Sequence, residues 1–178
     1  FAGTGDTIAN PQLSALADNQ ALYQTAAISS TSAAKDLVPA ASCTDYALTP
    51  AAVTTDERGM ARPEHTNCDA GAYELDQTLP VISITNGTPT TIECKATYTD
   101  AGATATDNFD SSVTVLTDGA GGVFTDILGN YAVTYTATDA SGNVATPQTR
   151  TVSVVDTTAP TITMSGVSSI IQEVGTTY

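Results

Sequence analysis

The most regular pattern along the chain is the alternation of apolar and polar residues over 131–138. Because successive side chains of a strand point to opposite faces, this period of two predicts a strand with one buried face. The side chains expected on that face are Tyr131, Val133, Tyr135 and Ala137. Further short strands are predicted at 81–84, 91–98, 113–116, 123–125 and 149–155, with a loop over 100–112. About seven strands in roughly 80 residues are typical of a β-sandwich built from two facing antiparallel layers.

An internal repeat divides the chain. Two segments recur 80 residues later, namely 75–84 as 155–164 and 92–98 as 172–178. A period of this length is typical of a string of small β-domains. The sequence therefore predicts a different unit over 1–75, one complete repeat over 76–156, and the first strands of a second repeat over 157–178.

The first unit has no comparable periodicity. Residues 18–25 predict one short strand, and 30–37 predict a helical turn capped by Ser. Charged side chains gather between residues 56 and 74, close to two cysteines. We expect the guanidinium groups there to be held by carboxylates, since such charge-assisted bonds fix a loop that lacks regular strands. The charged residues concerned are Arg58, Arg62, Asp69 and Glu74.

Three stretches of this unit carry a resemblance: DERGMARPEHTNCDAGAYE (56–74), NPQLSALADNQALYQT (10–25) and SSTSAAKD (29–36). Together they resemble the C-terminal end of bacterial surface right-handed parallel β-helices of the choice-of-anchor type. Glu57 and Ala70 stand where that family's pattern has Gln and Ile. The resemblance implies that residues 1–75 are the last coils and cap of a β-helix. Some parallel β-helices cleave polysaccharides, but with catalytic groups on their middle coils, so a cap would carry none of them.

The three cysteines are interpreted in two ways. Cys43 and Cys68 are expected to form a disulfide, which the cap resemblance supports; the alternative is two unpaired thiols. Closing a loop of this length stabilises the fold by roughly 3 kcal/mol. Cys94 occupies the position of Val174 in the next copy, which predicts a small, buried apolar site, with a reactive or intermolecular thiol as the alternative. Three cysteines and the exposed His65 lack the spacing of a zinc site.

The complete repeat carries a second resemblance. TYTDAGATATDN (97–108) and YAVTYTATDASGN (131–143) match bacterial surface immunoglobulin-like repeats almost letter for letter. Such repeats occur in tandem on secreted and surface proteins, so the resemblance implies a spacer or adhesion module. The fold class expected for the whole chain is all-β: the end of a parallel β-helix, an immunoglobulin-like β-sandwich, and the opening of a second one.

The balance of charge limits the partners. The chain has 19 acidic and 5 basic residues, a formal net charge of −14. Such a surface repels nucleic acid phosphates and anionic lipid and suits divalent cations. The sequence contains no run of 18 apolar residues, so it predicts no membrane-spanning helix. Because the chain begins at Phe1 without Met and stops inside a repeat, we expect a piece of a longer, exported protein with an extracellular or cell-surface location.

The aspartates raise the question of a metal site. Calcium takes six to eight oxygen ligands, often from loop ends, and the candidate ligands at the two joints and in the loops of the repeat are Asp76, Asp107, Asp110, Asp139 and Asp156. A joint aspartate that shares an ion with loop aspartates would stiffen a string of domains. The alternative is that these residues only shape turns. Calcium is the one cofactor that the sequence suggests.

These observations favour a non-catalytic extracellular structural or adhesion module. Its partners would be neighbouring repeats, copies of itself, or a surface glycan or protein ligand; no nucleophile or phosphate-loop motif suggests an enzyme. One alternative is a filament subunit that polymerises when its terminal segment 161–178 adds a strand to a neighbouring molecule. A second is a carbohydrate-binding accessory region of a polysaccharide-active enzyme, in which Tyr46 or Tyr73 would contact the glycan.

Overall fold

The computed structural model describes residues 10–19, 23–45, 47–166, 171 and 173–175, and within them regular structure is almost entirely β. The strands are β1 (Leu16–Ala17), β2 (Thr25–Ala26), β3 (Val38–Pro39), β4 (Asn67–Cys68), β5 (Val81–Ile84), β6 (Thr90–Glu93), β7 (Ala103–Thr106), β8 (Val115–Asp118), β9 (Gly129–Ala137) and β10 (Gln148–Val155). Two short 3-10 turns lie at Ala40–Ser42 and Ala120–Gly122.

Residues 81–155 form two sheets that enclose one apolar core. The larger sheet has the strand order β6-β10-β9-β8, and the smaller one pairs β5 with β7. The alternation predicted for β9 is confirmed, because Val133, Tyr135 and Ala137 are buried. They pack with Val152 of β10 and Ile82 of β5. This arrangement is compatible with an immunoglobulin-like sandwich.

Three details of the sandwich differ from the sequence-based expectation. The pairing of β6 with β10 is parallel, so the layers are not purely antiparallel. Strand β7 lies inside the expected loop 100–112; its residues are Ala and Thr, which give a weak apolar signal although Ala103 and Ala105 pack against the core. Residues 123–125 form no strand and follow a 3-10 turn instead. The described part of this region therefore has six strands where about seven were expected.

One charged side chain is buried inside the sandwich. Arg150 of β10 is 2% exposed; its Nε lies 3.2 Å from Asp100 Oδ1 and donates to the Tyr135 hydroxyl at 2.9 Å. Its guanidinium also donates to the carbonyl oxygens of Thr85 at 2.7 Å and Gly102 at 2.9 Å. Burial acts to raise the pKa of Asp100, but hydrogen bonds from tyrosine hydroxyls and the charge of Arg150 outweigh it and lower that pKa. Since Thr85 follows β5 and Gly102 precedes β7, Arg150 ties the two sheets together.

Residues 10–75 are built differently. Their two ladders, β1 with β2 and β3 with β4, are antiparallel and only two residues long. Parallel coils are not formed in the described part of this region, so the implied β-helix cap is not confirmed. Of the strand predicted at 18–25, only Thr25 lies in a strand; residues 20–22 lie outside the described residues. The segment 30–37 forms hydrogen-bonded turns and no helix, but the expected Ser cap is present: the Ser32 hydroxyl accepts the Ala34 amide at 3.0 Å, and the Lys35 amide donates to the Ser32 carbonyl at 3.2 Å.

A disulfide and ion pairs hold this half together. Cys43 and Cys68 are bonded, which confirms the predicted pairing. The expected guanidinium–carboxylate contacts are also present, with Arg58 Nε 2.8 Å from Asp56 and Arg62 Nε 2.8 Å from Glu74. The apolar cluster of this half is small, with Ile28, Ala34, Tyr73 and Leu75 as its buried members.

The buried carboxylates of this half are supplied with donors. Glu74 is 1% exposed and accepts the amides of Asp69 at 3.0 Å and Glu64 at 3.1 Å in addition to Arg62. The Asp69 carboxylate accepts the backbone amides of Asp36 at 2.6 Å and Leu75 at 2.5 Å, and the guanidinium of Arg62 instead donates to the Asp69 backbone carbonyl. Burial raises the pKa of Glu74 above its ordinary value in spite of the hydrogen bonds it accepts.

The described residues after β10 are exposed and form no strand. The first strands expected for a second repeat are therefore not formed in the described part of 157–178; residues 167–170, 172 and 176–178 lie outside it. In the complete repeat β5 pairs with β7. At an offset of 80 residues, the strand equivalent to β7 would lie at 183–186, beyond residue 178.

Candidate functional site

Four carboxylates meet where the chain enters β5. One oxygen from each lies within 4.8 Å of the others, and we call Asp76, Asp107, Asp110 and Asp139 the aspartate cluster. Asp76 is 1% exposed, Asp110 and Asp139 are buried, and Asp107 is half-buried. They are four of the five aspartates that the sequence suggested as calcium ligands.

Strand pairing brings the cluster together. Strands β5 and β7 are antiparallel with Val81 opposite Thr106, so Asp107, which follows β7, lies beside the chain that enters β5 and carries Asp76. Asp110 lies in the following loop and accepts the backbone amide of Ala140 through Oδ2 at 2.7 Å. That bond joins this loop to the turn after β9, which opens with Asp139.

Asp76, Asp107 and Asp139 also shape their own loops, as the turn-forming alternative expected. Asp76 Oδ1 accepts the Thr78 amide at 3.0 Å, and Asp107 Oδ2 accepts the Phe109 amide at 2.9 Å. Asp139 accepts both the backbone amide and the side-chain amide of Asn143, at 2.7 and 2.8 Å. Turn formation therefore explains only part of the set of carboxylate oxygens.

Two buried oxygens of the cluster are left without a partner. Asp76 Oδ2 and Asp107 Oδ1 accept no hydrogen bond from the described residues. In the same part of the chain, neither residue forms an ion pair with Arg, Lys or His. A buried polar atom without a partner destabilises a fold by roughly 1–3 kcal/mol, so these two atoms need an explanation beyond loop geometry.

The electrostatics of the cluster favour a cation. Burial raises the pKa of Asp76 from 3.8 to about 6, against the hydrogen bond from Thr78. The charges of Asp107, Asp139 and Glu64 act in the same direction as burial. Several carboxylates held together in a buried position repel one another, and a divalent cation between them would remove that repulsion.

Contacts beside the cluster join the residues before Asp76 to those after it. Asn143 Nδ2 donates to the Asp76 carbonyl at 3.1 Å, and the Thr78 hydroxyl donates to the Glu64 carboxylate. Glu64 was not among the residues suggested by the sequence. No local pattern marks it, because its partner is 14 residues away and its role depends on how the two regions fold together.

Arg58 forms another contact across the same junction. Its guanidinium carbon lies 3.7 Å from the centroid of the Tyr73 ring and 4.7 Å from that of Phe109. Tyr73 is therefore covered by Arg58 and only 9% exposed. The carbohydrate hypothesis required an exposed aromatic ring to contact the glycan, and Tyr73 does not provide one. Tyr46, the other aromatic named for that role, lies outside the described residues.

Asp156 lies outside the aspartate cluster. It is exposed and accepts the Thr158 amide at 3.3 Å, in the same local turn that Asp76 forms with Thr78. At this second joint, Glu93 accepts bonds from the hydroxyls of Thr157 at 2.7 Å and Thr158 at 2.9 Å. These hydrogen bonds, from Thr157 first, lower the pKa of Glu93 to about 2.

Two further predictions have clear outcomes. Cys94 is a free thiol that is half-buried in a turn after β6, and its counterpart Val174 is exposed, so the prediction of a small, buried apolar site is wrong. The repeat alignment identified equivalent positions but not burial: Cys94 lies just after the end of β6, in a turn in which Lys95 has a φ of +66°. His65 is exposed, as predicted, and contacts Glu64.

Sequence reasoning also missed the role of Arg150. It occupies an inward position of β10, in phase with Val152 and Val154. A charged residue in the apolar phase of a strand was the available signal, since buried charges are almost always paired.

In the described residues, the structure has no helix of the length and apolar character needed to cross a membrane. No match was found between the chain and the curated proteins. A family model does match part of it: residues 82–154, which contain most of β5 through most of β10, are similar to the bacterial surface protein Ig-like domain.

Proposed function

We propose that this chain is a non-catalytic structural segment of a bacterial surface or secreted protein, in which an immunoglobulin-like domain serves as a spacer. The observation that carries the proposal is the match of residues 82–154 to the bacterial surface Ig-like domain. The Cys43–Cys68 disulfide supports it, because disulfides persist in oxidising, extracytoplasmic environments.

The contacts around the junction favour a spacer of defined shape. Asn143 binds the Asp76 carbonyl, Thr78 binds Glu64, and Arg58 lies against both Tyr73 and Phe109. A chain that holds its two regions together in this way projects a neighbouring binding region from a surface better than a flexible linker does. Adhesion, with a glycan or protein ligand, is the finer form of this proposal.

Surface exposure is tested in the source bacterium with antibodies raised against residues 77–156. Intact cells or the culture medium should be labelled, and brief protease treatment of intact cells should remove the cell-bound signal. A cytoplasmic protein of the same cells is the control and should survive that treatment. Detection only after lysis, together with protection from protease, would contradict the proposal.

A second candidate function is self-assembly through the terminal segment. The apolar side chains after β10 are largely exposed, with Ile162 at 92% and Met164 at 71%. The equivalent segment of the complete repeat, β5, is paired with β7. An unpaired segment of this kind can complete the sheet of a neighbouring molecule.

Light scattering after size exclusion and negative-stain electron microscopy separate the two candidates. Self-assembly predicts ordered polymers that disappear when residues 161–178 are deleted. Replacement of Ile162 and Met164 by Ser should give the same loss without shortening the chain. If the chain is a monomer at all concentrations, the filament hypothesis is ruled out and the spacer function is retained.

The apolar groove of the first half supports the proposal that this half ends a β-helix. The groove has a volume of about 520 Å³, and its lining includes Leu13, Ile28, Leu37 and Tyr73. Leu13 and Leu37 are more than half exposed. A preceding coil would cover this surface. A structure of the chain with residues upstream of Phe1 would test this, and parallel strands stacked on the groove are the expected result.

A further inference from the structure

We propose that the aspartate cluster binds one Ca²⁺ ion at the junction where the chain enters the sandwich. The inference is independent of the proposed surface role, because it rests on the geometry of four side chains. Their closest oxygens lie within 4.8 Å of one another and come from three separate parts of the chain: the linker that leads into β5 (residues 76–80), the loop after β7 and the turn after β9.

The unpartnered oxygens point to a ligand and not only to loop formation. Asp76 Oδ1 and Asp107 Oδ2 bind backbone amides of their own turns, whereas Asp76 Oδ2 and Asp107 Oδ1 are buried without a partner in the described residues. Each of these two side chains thus uses one oxygen to form its turn, and its other oxygen is available to bind a cation. Asp76 is 1% exposed, so bulk water does not satisfy its second oxygen.

The donor set and its spacing select the ion. All four groups offer oxygen, which Ca²⁺ and Mg²⁺ prefer, and the cluster contains no His or Cys that would favour zinc. With Ca–O distances of about 2.3–2.6 Å, opposite ligands lie roughly 4.6–5.2 Å apart; for Mg²⁺ the figure is about 4.2 Å. A spread of up to 4.8 Å therefore suits Ca²⁺ better.

The ion would connect the linker to the sandwich. Asp76 precedes β5, while the other three aspartates belong to loops at one end of the sandwich. Because Asn143 already binds both Asp139 and the Asp76 carbonyl, a cation here would reinforce an existing contact. Asp156 is not a ligand in this chain; it is exposed and serves as the matched control.

The binding test uses the whole chain, freed of metal with EDTA and dialysed. Isothermal titration with CaCl2 should give one site with a dissociation constant of about 10⁻⁴ to 10⁻³ M, the range of extracellular modules. Adding 10 mM CaCl2 should raise the melting temperature by roughly 3–10 °C. The same concentration of MgCl2 controls for ionic strength and should have a smaller effect.

Two variants assign the ligands. Asp107→Asn keeps an oxygen for the Phe109 amide but loses the charge, and should weaken Ca²⁺ binding by about tenfold or more. Asp76→Asn should raise the melting temperature of the metal-free protein, since it removes a buried charge, and abolish the rise caused by Ca²⁺. Asp156→Asn should bind Ca²⁺ as the natural chain does.

If Asp76 is a ligand, Asp76→Asn raises the melting temperature of the metal-free protein and removes the further rise that Ca²⁺ gives. A purely structural residue would instead lower the melting temperature equally with and without Ca²⁺. The proposal is overturned if 10 mM CaCl2 gives no saturable heat and no more stabilisation than MgCl2. It is also overturned if Asp107→Asn binds Ca²⁺ with unchanged affinity. Should Asp76→Asn fail to fold, Asp107→Asn decides.

Discussion

Among the described residues between 10 and 75 every strand has two residues, whereas between 81 and 155 the strands have four to nine. The first region is held by the Cys43–Cys68 disulfide and by buried guanidinium–carboxylate pairs around a small apolar cluster. The second has a continuous apolar core between two sheets, with a single buried guanidinium among its described residues.

The difference shows how one acidic, alanine- and threonine-rich chain stabilises two kinds of structure. Where strands are long enough to alternate, burial of one face supplies most of the free energy. Where the strands are too short to alternate, specific bonds between distant residues stabilise the fold, and each bond contributes a larger share of the free energy of folding. The first region should therefore be sensitive to single polar substitutions, and the second to loss of apolar volume.

The largest effect is expected at Glu74. The substitution Glu74→Ala removes the partner of Arg62 and leaves the amides of Asp69 and Glu64 without an acceptor. Removing one member of a buried ion pair costs about 3–5 kcal/mol, and urea denaturation should show a loss of that size. Glu57→Ala is the control, because Glu57 is exposed, and it should change the free energy of unfolding by less than about 0.5 kcal/mol. Equal effects would mean that the buried pair does not stabilise this region.

Loss of the disulfide should come next. The double substitution Cys43→Ser and Cys68→Ser opens a loop whose closure is worth roughly 3 kcal/mol, and the loss should be confined to the first region. Amide hydrogen exchange can localise it: protection should fall in residues 23–75 and persist in β9 and β10. Cys94→Ser, which removes the free thiol, is the matched control. A loss of protection in both regions would show that they unfold together.

In the sandwich, apolar volume should matter most. Val133 is fully buried in β9, and Val133→Ala should destabilise the protein by about 2 kcal/mol, from two lost methyl groups and the cavity they leave. Val144→Ala is the control, because Val144 is 56% exposed. Thermal denaturation of both variants provides the measurement. A similar melting temperature for the two would contradict an apolar core centred on β9.

The same contrast explains how far the sequence could be interpreted. Alternation predicted β9, because a buried face imposes a period of two, and β10 was predicted as the closing strand of the repeat. It missed β7, whose Ala and Thr residues alternate only weakly. In the first region, the resemblance supported the disulfide and the grouping of charged residues suggested the ion pairs, but the short antiparallel ladders have no periodic signal.

The aspartate cluster was predictable only in part. Asp76, Asp107, Asp110 and Asp139 were named from their positions at a joint and in loops, and the fold brings them together. The repeat also suggested Asp156, since it is equivalent to Asp76 in sequence. Equivalence in sequence reproduces the local turn with Thr158, but burial needs the loops of the following repeat, and those would lie beyond residue 178.

The smallest effect is expected at Glu93, where an exposed joint depends on hydrogen bonds and not on burial. Its folded-state pKa of about 2 lies below the ordinary value of 4.5. The bonds to Thr157 and Thr158 therefore contribute fully above pH 4.5 and are lost as the pH falls through about 2. The amide resonances of both threonines should shift with that midpoint in an NMR titration, and Glu93→Gln should remove the shift with little change in melting temperature. Asp156→Asn should retain it. A midpoint near 4.5 would mean that the carboxylate does not hold the threonines in solution, and the second joint would then have no counterpart to the contacts around Asp76.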